Sequence, residues 1–212
     1  MKMKFENTDV FGFEGAIRGM RNPLNSWGRM DSKSNELTGE FEIGSNDLQL
    51  MQALIRGGGE HRKFMRMIHV QVDVTMPRYF WSELDTYHFG TKNSCSTMHK
   101  LLNTNEPISK ELFVYCEEDE DFLNTIICRL EGLRSEYRRA ETPQADKVRL
   151  LLRAKRLLPE GFLQKRTWDT NYEEIRNIYY QRRGHRLKEE WQDTFCSWVE
   201  SLPYFTELIG FN

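Results

Sequence analysis

Between Lys155 and His185 the sequence gathers residues able to hold a phosphate and a heterocycle. Lys155-Arg156-Leu157-Leu158-Pro159 is followed by Asn171, Asn177, Arg182 and His185. A guanidinium offers a planar fork of donors to phosphate, and an asparagine amide offers both a donor and an acceptor to a ring edge. Asn171 and Asn177 are six residues apart, Asn177 and Arg182 five. Those steps do not form one strict helical stripe, but they fit one edge of a helix whose end opens into a pocket. A solvated helix with surface charges is the competing reading.

A second polar stretch runs from Thr86 to Lys100 and carries His88, Thr91, Lys92, Asn93, Ser94, Ser96, Thr97 and His99. It supplies many donors to a phosphate or a ring; Ser, Thr and Asn equally favour a polar loop with a helix cap. Cys95 sits between two serines without a visible paired base, which leaves a nucleophile role unsupported. Arg18-Gly19-Met20-Arg21-Asn22-Pro23 matches neither a Walker motif nor G-x-G-x-x-G, and reads as an ordinary loop in preference to an anion site.

Both stretches resemble the flavin-dependent thymidylate synthases. In that family an R-x-x-L-P turn precedes a helix reading N-x5-N-x4-R, with a histidine soon after. Lys155, Leu158 and Pro159, then Asn171, Asn177 and Arg182, lie on this pattern without a gap, with Lys155 replacing the first Arg. His185 comes one residue early. The family signature R-H-R-x2-S-x4-S-x-R falls on Thr86-Tyr87-His88, Thr91, Ser96 and Met98. Thr91 keeps a hydroxyl, Ser96 keeps its serine and Asn93 matches a common family residue. The R-H-R triplet is lost, and Met98 stands where an Arg belongs; neither Thr nor Met neutralises phosphate.

The resemblance implies conversion of dUMP to dTMP, with methylenetetrahydrofolate as carbon donor, reduced FAD as hydride source and NADPH as co-substrate. Arg182 and Ser96 become the catalytic candidates. Glu83, Ser96, Lys155 and Arg182 become substrate-binding candidates, and His88, Thr91, Asn93, Asn171, Asn177 and His185 flavin-binding ones. His61 aligns with a family histidine before the central strand. The family builds homotetramers with sites shared between subunits. The altered signature supports an alternative: a diverged nucleotide binder, whether a sensor, a regulator or an enzyme for another pyrimidine nucleotide.

The 212 residues suffice for one compact domain, read as 1–212 with an irregular segment over 1–38. Thirty basic against thirty-two acidic side chains argue against a general nucleic-acid binder but not against a local anion pocket. No apolar run approaches a membrane span, and no signal-peptide core is visible. Four scattered cysteines without a C-x-x-C pair suggest neither structural zinc nor a disulfide framework, and a reduced cytoplasm is expected.

The elements expected to position these groups follow from periodicity. Phe41–Ile43 reads as a short strand, and Ser45 as the N-cap of a helix to about Ile55 that the following glycines stop. Ile68–Thr75 alternates apolar and polar residues as a half-buried strand. Pro77 opens a helix through His88, in which Tyr79, Phe80 and Trp81 read as core. The acids from Glu117 to Asp121 begin a helix to about Arg139. Another starts after Thr142-Pro143 with Val148, Leu151 and Leu152 inward. A last helix from about Leu187 to Glu200 carries Trp191, Phe195 and Trp198 on one stripe. The fold class is α+β, a small antiparallel or mixed sheet with several long helices, as in the resembled family.

Overall fold

A computed structural model describes residues 3–35 and 41–212. In chain order the elements are β1 (Lys4–Phe11), α1 (Phe13–Arg21), β2 (Lys33–Ser34), β3 (Phe41–Glu42), α2 (Ser45–Arg56), β4 (His69–Pro77), α3 (Arg78–Leu84), β5 (Thr91–Ser94), α4 (Thr97–Lys100), α5 (Glu120–Arg138), α6 (Gln144–Leu157), β6 (Leu163–Asn171), α7 (Tyr172–Arg182) and α8 (Ser197–Glu200). A 3-10 turn over Arg62–Met67 precedes β4, and a π-helical stretch over Lys188–Cys196 precedes α8. Four strands form a small sheet in the order β1-β4-β6-β5, and β2 pairs antiparallel with β3. The architecture is α+β, as expected.

The described chain forms two compact units. One is built mainly from Val74–Thr86 and Asn93–Arg166, the other from Phe5–Asp73, Tyr87–Lys92 and Thr167–Asn212. In the first, α5 and α6 close on a core of Leu123, Leu130, Leu133, Leu150, Ala154 and Leu158, joined by Leu101, Leu102, Ile108 and Phe113. Leu150 and Ala154, four apart, form the inward face of α6. Val148 and Leu152, expected inward, are exposed; the buried stripe is displaced around the helix. Phe80 and Trp81 are fully buried on α3, and the Trp81 indole N–H donates to the Gln164 carbonyl at 2.9 Å. That helix ends at Leu84 rather than His88, where the Thr86 hydroxyl donates to the Glu83 carbonyl and closes the turn.

Aromatic side chains organise the second unit. Trp191, Phe195 and Trp198 are buried, and Phe5 stacks on Trp198 at 4.3 Å. Phe13 meets Phe41, Tyr172 and Tyr204. The segment expected to be irregular holds β1 and α1 instead; its residues 1, 2 and 36–38 lie outside the described residues. Arg21, read within a loop, closes α1 and is buried against Asp47, its Nε and Nη2 each 2.6 Å from the carboxylate. The other carboxylate oxygen of Asp47 accepts the Asp31 and Ser32 N–H groups and the Ser32 hydroxyl. Burial alone would raise the Asp47 pKa, but the bonds from Ser32 and Arg21 outweigh it and hold the carboxyl below its ordinary range.

Ser45 is not the cap of α2. Gly44 takes that place, and the Asp31 carboxylate accepts from Asn46 N and Asp47 N. A cap supplied from fourteen residues upstream leaves no S-x-x-E signature to read.

Candidate functional site

Asn171 does not share a helix with Asn177 and Arg182. It ends β6, and its Oδ1 accepts the Glu174 N–H at 3.0 Å, capping α7. The cap uses the amide oxygen and leaves the NH2 group for other partners. From this junction α7 carries exposed Asn177 and half-buried Arg182. Asn171 and Asn177 line a cavity of about 180 Å³ together with Arg62, Arg66, Phe89 and Glu174. The Arg62 Nε donates to both oxygens of the Glu173 carboxylate, at 3.1 and 3.0 Å, while Arg66 has no ion-pair partner among the described residues.

Glu174 is buried at the cavity wall. Burial pushes its carboxyl above the ordinary range, against bonds from the Phe89 backbone N–H and the Asn177 side chain that favour the charged form. The cavity thus combines a guanidinium without an ion-pair partner among the described residues, two amides, an aromatic ring and a carboxyl whose pKa is raised by burial. This set suits a planar heterocycle with an anionic substituent.

Arg182 is held farther along α7. Its Nε donates to the Tyr87 hydroxyl at 2.9 Å, and that hydroxyl donates to Gln181 Oε1 at 3.0 Å. Gln181 in turn donates to Asn177 Oδ1 at 2.8 Å, so one chain of bonds joins Arg182 to the cavity. The guanidinium lies 4.5 Å from the Trp191 ring centre and 5.5 Å from that of Tyr87. His185 meets the same Trp191 at 5.9 Å, and its Nδ1 accepts the Leu187 N–H at 3.3 Å.

The remaining candidates divide between the units. In the first, the Lys155 ammonium donates to the Thr97 hydroxyl at 3.2 Å and so stands beside Ser96, which precedes α4 and is half-buried. Glu83 is half-buried in the last turn of α3, and Asn93 and Met98 are exposed. In the second, His88 and Thr91 are exposed after Tyr87. His61 does not line the Asn171–Asn177 cavity, although its neighbour Arg62 does. His61 borders a larger, mainly apolar cleft of about 940 Å³ with Met20, Leu24, Leu54 and Phe64.

Sequence reading missed Tyr87, Phe89, Arg62, Arg66, Glu174 and Trp191. Tyr87 was visible only as a substitution, and the acids Glu173 and Glu174 look like ordinary dipole partners at a helix start. The one available signal was Arg62 and Arg66, two cations four residues apart.

Three solved structures share the architecture across nearly the whole chain. Thymidylate synthase X (ThyX) from Helicobacter pylori with FAD and dUMP superposes with a TM-score of 0.69 at 18% identity, covering 97% of this chain and 96% of that one. A second structure of flavin-dependent ThyX from Helicobacter pylori, complexed with FAD and dUMP, gives 0.69 at 17% identity, over 98% and 96%. The UMP/dUMP methylase PolB from Streptomyces cacaoi, bound with 5-Br dUMP, gives 0.58 at 15% identity, over 98% and 96%. At such identities the likeness establishes a ThyX-like fold. No family model and no curated protein matches the sequence.

Proposed function

We propose that the chain is a flavin-dependent thymidylate synthase-like enzyme that methylates dUMP to dTMP. Methylenetetrahydrofolate would donate the carbon, and FAD reduced by NADPH the hydride. The carrying observation is the bonded chain from Arg182 through Tyr87 and Gln181 to Asn177, ending at a cavity lined by Asn171 and Arg66. The shared fold supports the reading, because two of the similar structures hold FAD and dUMP and the third a halogenated dUMP.

The residues present fit a flavin ring: Phe89 offers an exposed face, the Asn171 NH2 is not used in capping, and Arg66 has no ion-pair partner among the described residues. When bound, FAD supplies the redox chemistry, and the protein supplies orientation and electrostatics. Asn171 and Asn177 orient the ring edge, and His185 fixes the turn that follows. His88, Thr91 and Asn93 are assigned to the flavin phosphates, where their exposure leaves them accessible. Arg182 carries a fixed positive charge toward the nucleotide. Within the first unit, Ser96 and Lys155 are assigned a hydroxyl and an ammonium for binding a nucleotide phosphate, and Glu83 a role in substrate binding. The chain acts as one domain over 1–212, in a cytoplasmic homotetramer. Among the described residues no helix is long and apolar enough to cross a membrane.

A second reading rests on the altered signature. Thr86-Tyr87-His88 and exposed Met98 replace arginines, and each lost charged hydrogen bond to phosphate costs roughly 1.5–3 kcal/mol. A diverged binder of a pyrimidine nucleotide without synthase activity follows if no other cation replaces them. The test is a visible absorption spectrum after FAD is added and unbound flavin removed, followed by a dTMP assay. A retained flavin band perturbed by dUMP, with dTMP formed, upholds the synthase. Binding of dUMP without flavin upholds the second reading, and binding of neither defeats both.

A further inference from the structure

Phe89 is 69% exposed, yet its backbone is held on both sides. Its N–H donates to the Glu174 carboxylate, and its carbonyl accepts the Thr170 hydroxyl at 3.2 Å. Gly90, next in the chain, has φ +143°, and a Cβ there would stand 2.6 Å from the Trp168 indole nitrogen and 2.7 Å from the Asp169 carbonyl oxygen. The loop therefore sits against β6 by a contact that only glycine permits. Trp168 is buried, and among the described residues its indole N–H has no hydrogen-bond partner.

This anchoring presents a large aromatic side chain to solvent at the wall of the Asn171–Asn177 cavity. A solvent-facing phenyl ring gains nothing from burial, and its fixed backbone spares a ligand the cost of ordering the loop. We propose that Phe89 is the stacking face for a planar heterocycle in this cavity, with Asn171 and Asn177 reading the ring's edge and Arg66 its anionic substituent. The cavity admits a single ring system rather than a whole dinucleotide, so the flavin ring or the uracil base is the occupant. Phe89 acts through ring contact alone and sets specificity for flat ligands over other anions. The inference rests on the proposed nucleotide-binding function and adds the residue that would recognise the ring.

The test is calorimetric titration of the full-length protein with FAD and, separately, dUMP, for wild type, Phe89→Leu and Phe89→Trp. Stacking between an aromatic side chain and a base predicts a roughly five- to hundredfold weaker Kd for one of the two ligands in Phe89→Leu, with Phe89→Trp near wild type. Exposure of the ring predicts an unchanged melting temperature in both variants, and light scattering should give the same mass. Wild-type affinity retained by Phe89→Leu overturns the stacking role and leaves the proposed function standing. A loss of oligomeric mass in Phe89→Leu also overturns it, by making Phe89 an interface residue. Failure of the wild type to bind either ligand removes the proposed function, and this inference with it.

Discussion

The direction of the half-buried Arg182 guanidinium is set in part by the Tyr87 hydroxyl and by the rings of Tyr87 and Trp191. Replacing Tyr87 by Phe removes the acceptor for the Arg182 Nε and the donor to Gln181 while keeping the ring beside the guanidinium. Under the proposed function, Tyr87→Phe should raise the dUMP Kd roughly three- to tenfold with little change in melting temperature, a modest loss for a charged hydrogen bond. Isothermal titration beside a thermal melt checks this, and an unchanged Kd would separate Tyr87 from substrate binding. Glu174 gives a pH signature of opposite origin. Its folded pKa lies above its ordinary 4.5, chiefly through burial, so the folded state holds the proton more tightly than the unfolded chain. Stability is then favoured below 4.5, and a penalty appears as pH rises through the raised folded value. Glu174→Gln keeps an acceptor for the Phe89 N–H and removes that penalty. It should melt higher than wild type at pH 8, with the difference vanishing as the pH falls toward 4.5. A difference that grows on acidification would refute the assignment.

Elements with a burial period were readable and those fixed by distant partners were not. The β4 alternation of Val70, Val72 and Val74 and the buried Phe80–Trp81 pair followed from local pattern, as did the acidic entry to α5. By contrast, β6 reads Leu-Gln-Lys-Arg-Thr-Trp-Asp-Thr-Asn, too polar to announce a strand, although it lies between β4 and β5. β1, another polar sequence, was missed for the same reason. The error at Asn171 came from this gap, because without β6 the asparagine looked like part of the following helix. Of the candidate site, Asn177 and Arg182 were singled out by their spacing and by the family resemblance, whereas the contacts of Tyr87 and Phe89 depend on pairing across the fold. Asp31 and Asp47 show the same dependence and supply a test. Asp47→Asn leaves Arg21 buried without its counter-charge, which should cost about 3–5 kcal/mol and be visible in urea unfolding. The wild-type carboxyl is held below its ordinary 3.8, so its contribution is complete above that pH and is lost as pH falls through the folded value. The gap between wild type and Asp47→Asn should therefore narrow only in strong acid.

For the whole molecule, α6 poses a question that a single chain does not answer. One face, Leu150 and Ala154, enters the core with α5, while Val148 and Leu152 form a second apolar pair four residues apart at 50% and 42% exposure. Such a pair on a surface helix has no role in the core of its own unit and is the kind of surface an oligomer covers. The proposed homotetramer would account for it, since closed assemblies bury the same patch in every copy. The near balance of charge, thirty basic against thirty-two acidic side chains, opposes association only weakly. Size-exclusion chromatography with light scattering should give the mass of four copies for the wild type. Val148→Glu combined with Leu152→Glu should yield a smaller species with unchanged helical circular dichroism, because neither side chain belongs to the buried core. A monomeric wild type would end the tetramer proposal. A double variant that stays tetrameric would move the interface elsewhere and leave the two α6 side chains as ordinary surface. If dUMP affinity falls with the mass, the binding site is completed by a neighbouring copy; if it persists in the smaller species, the Arg182-to-Asn177 chain of bonds is sufficient on its own.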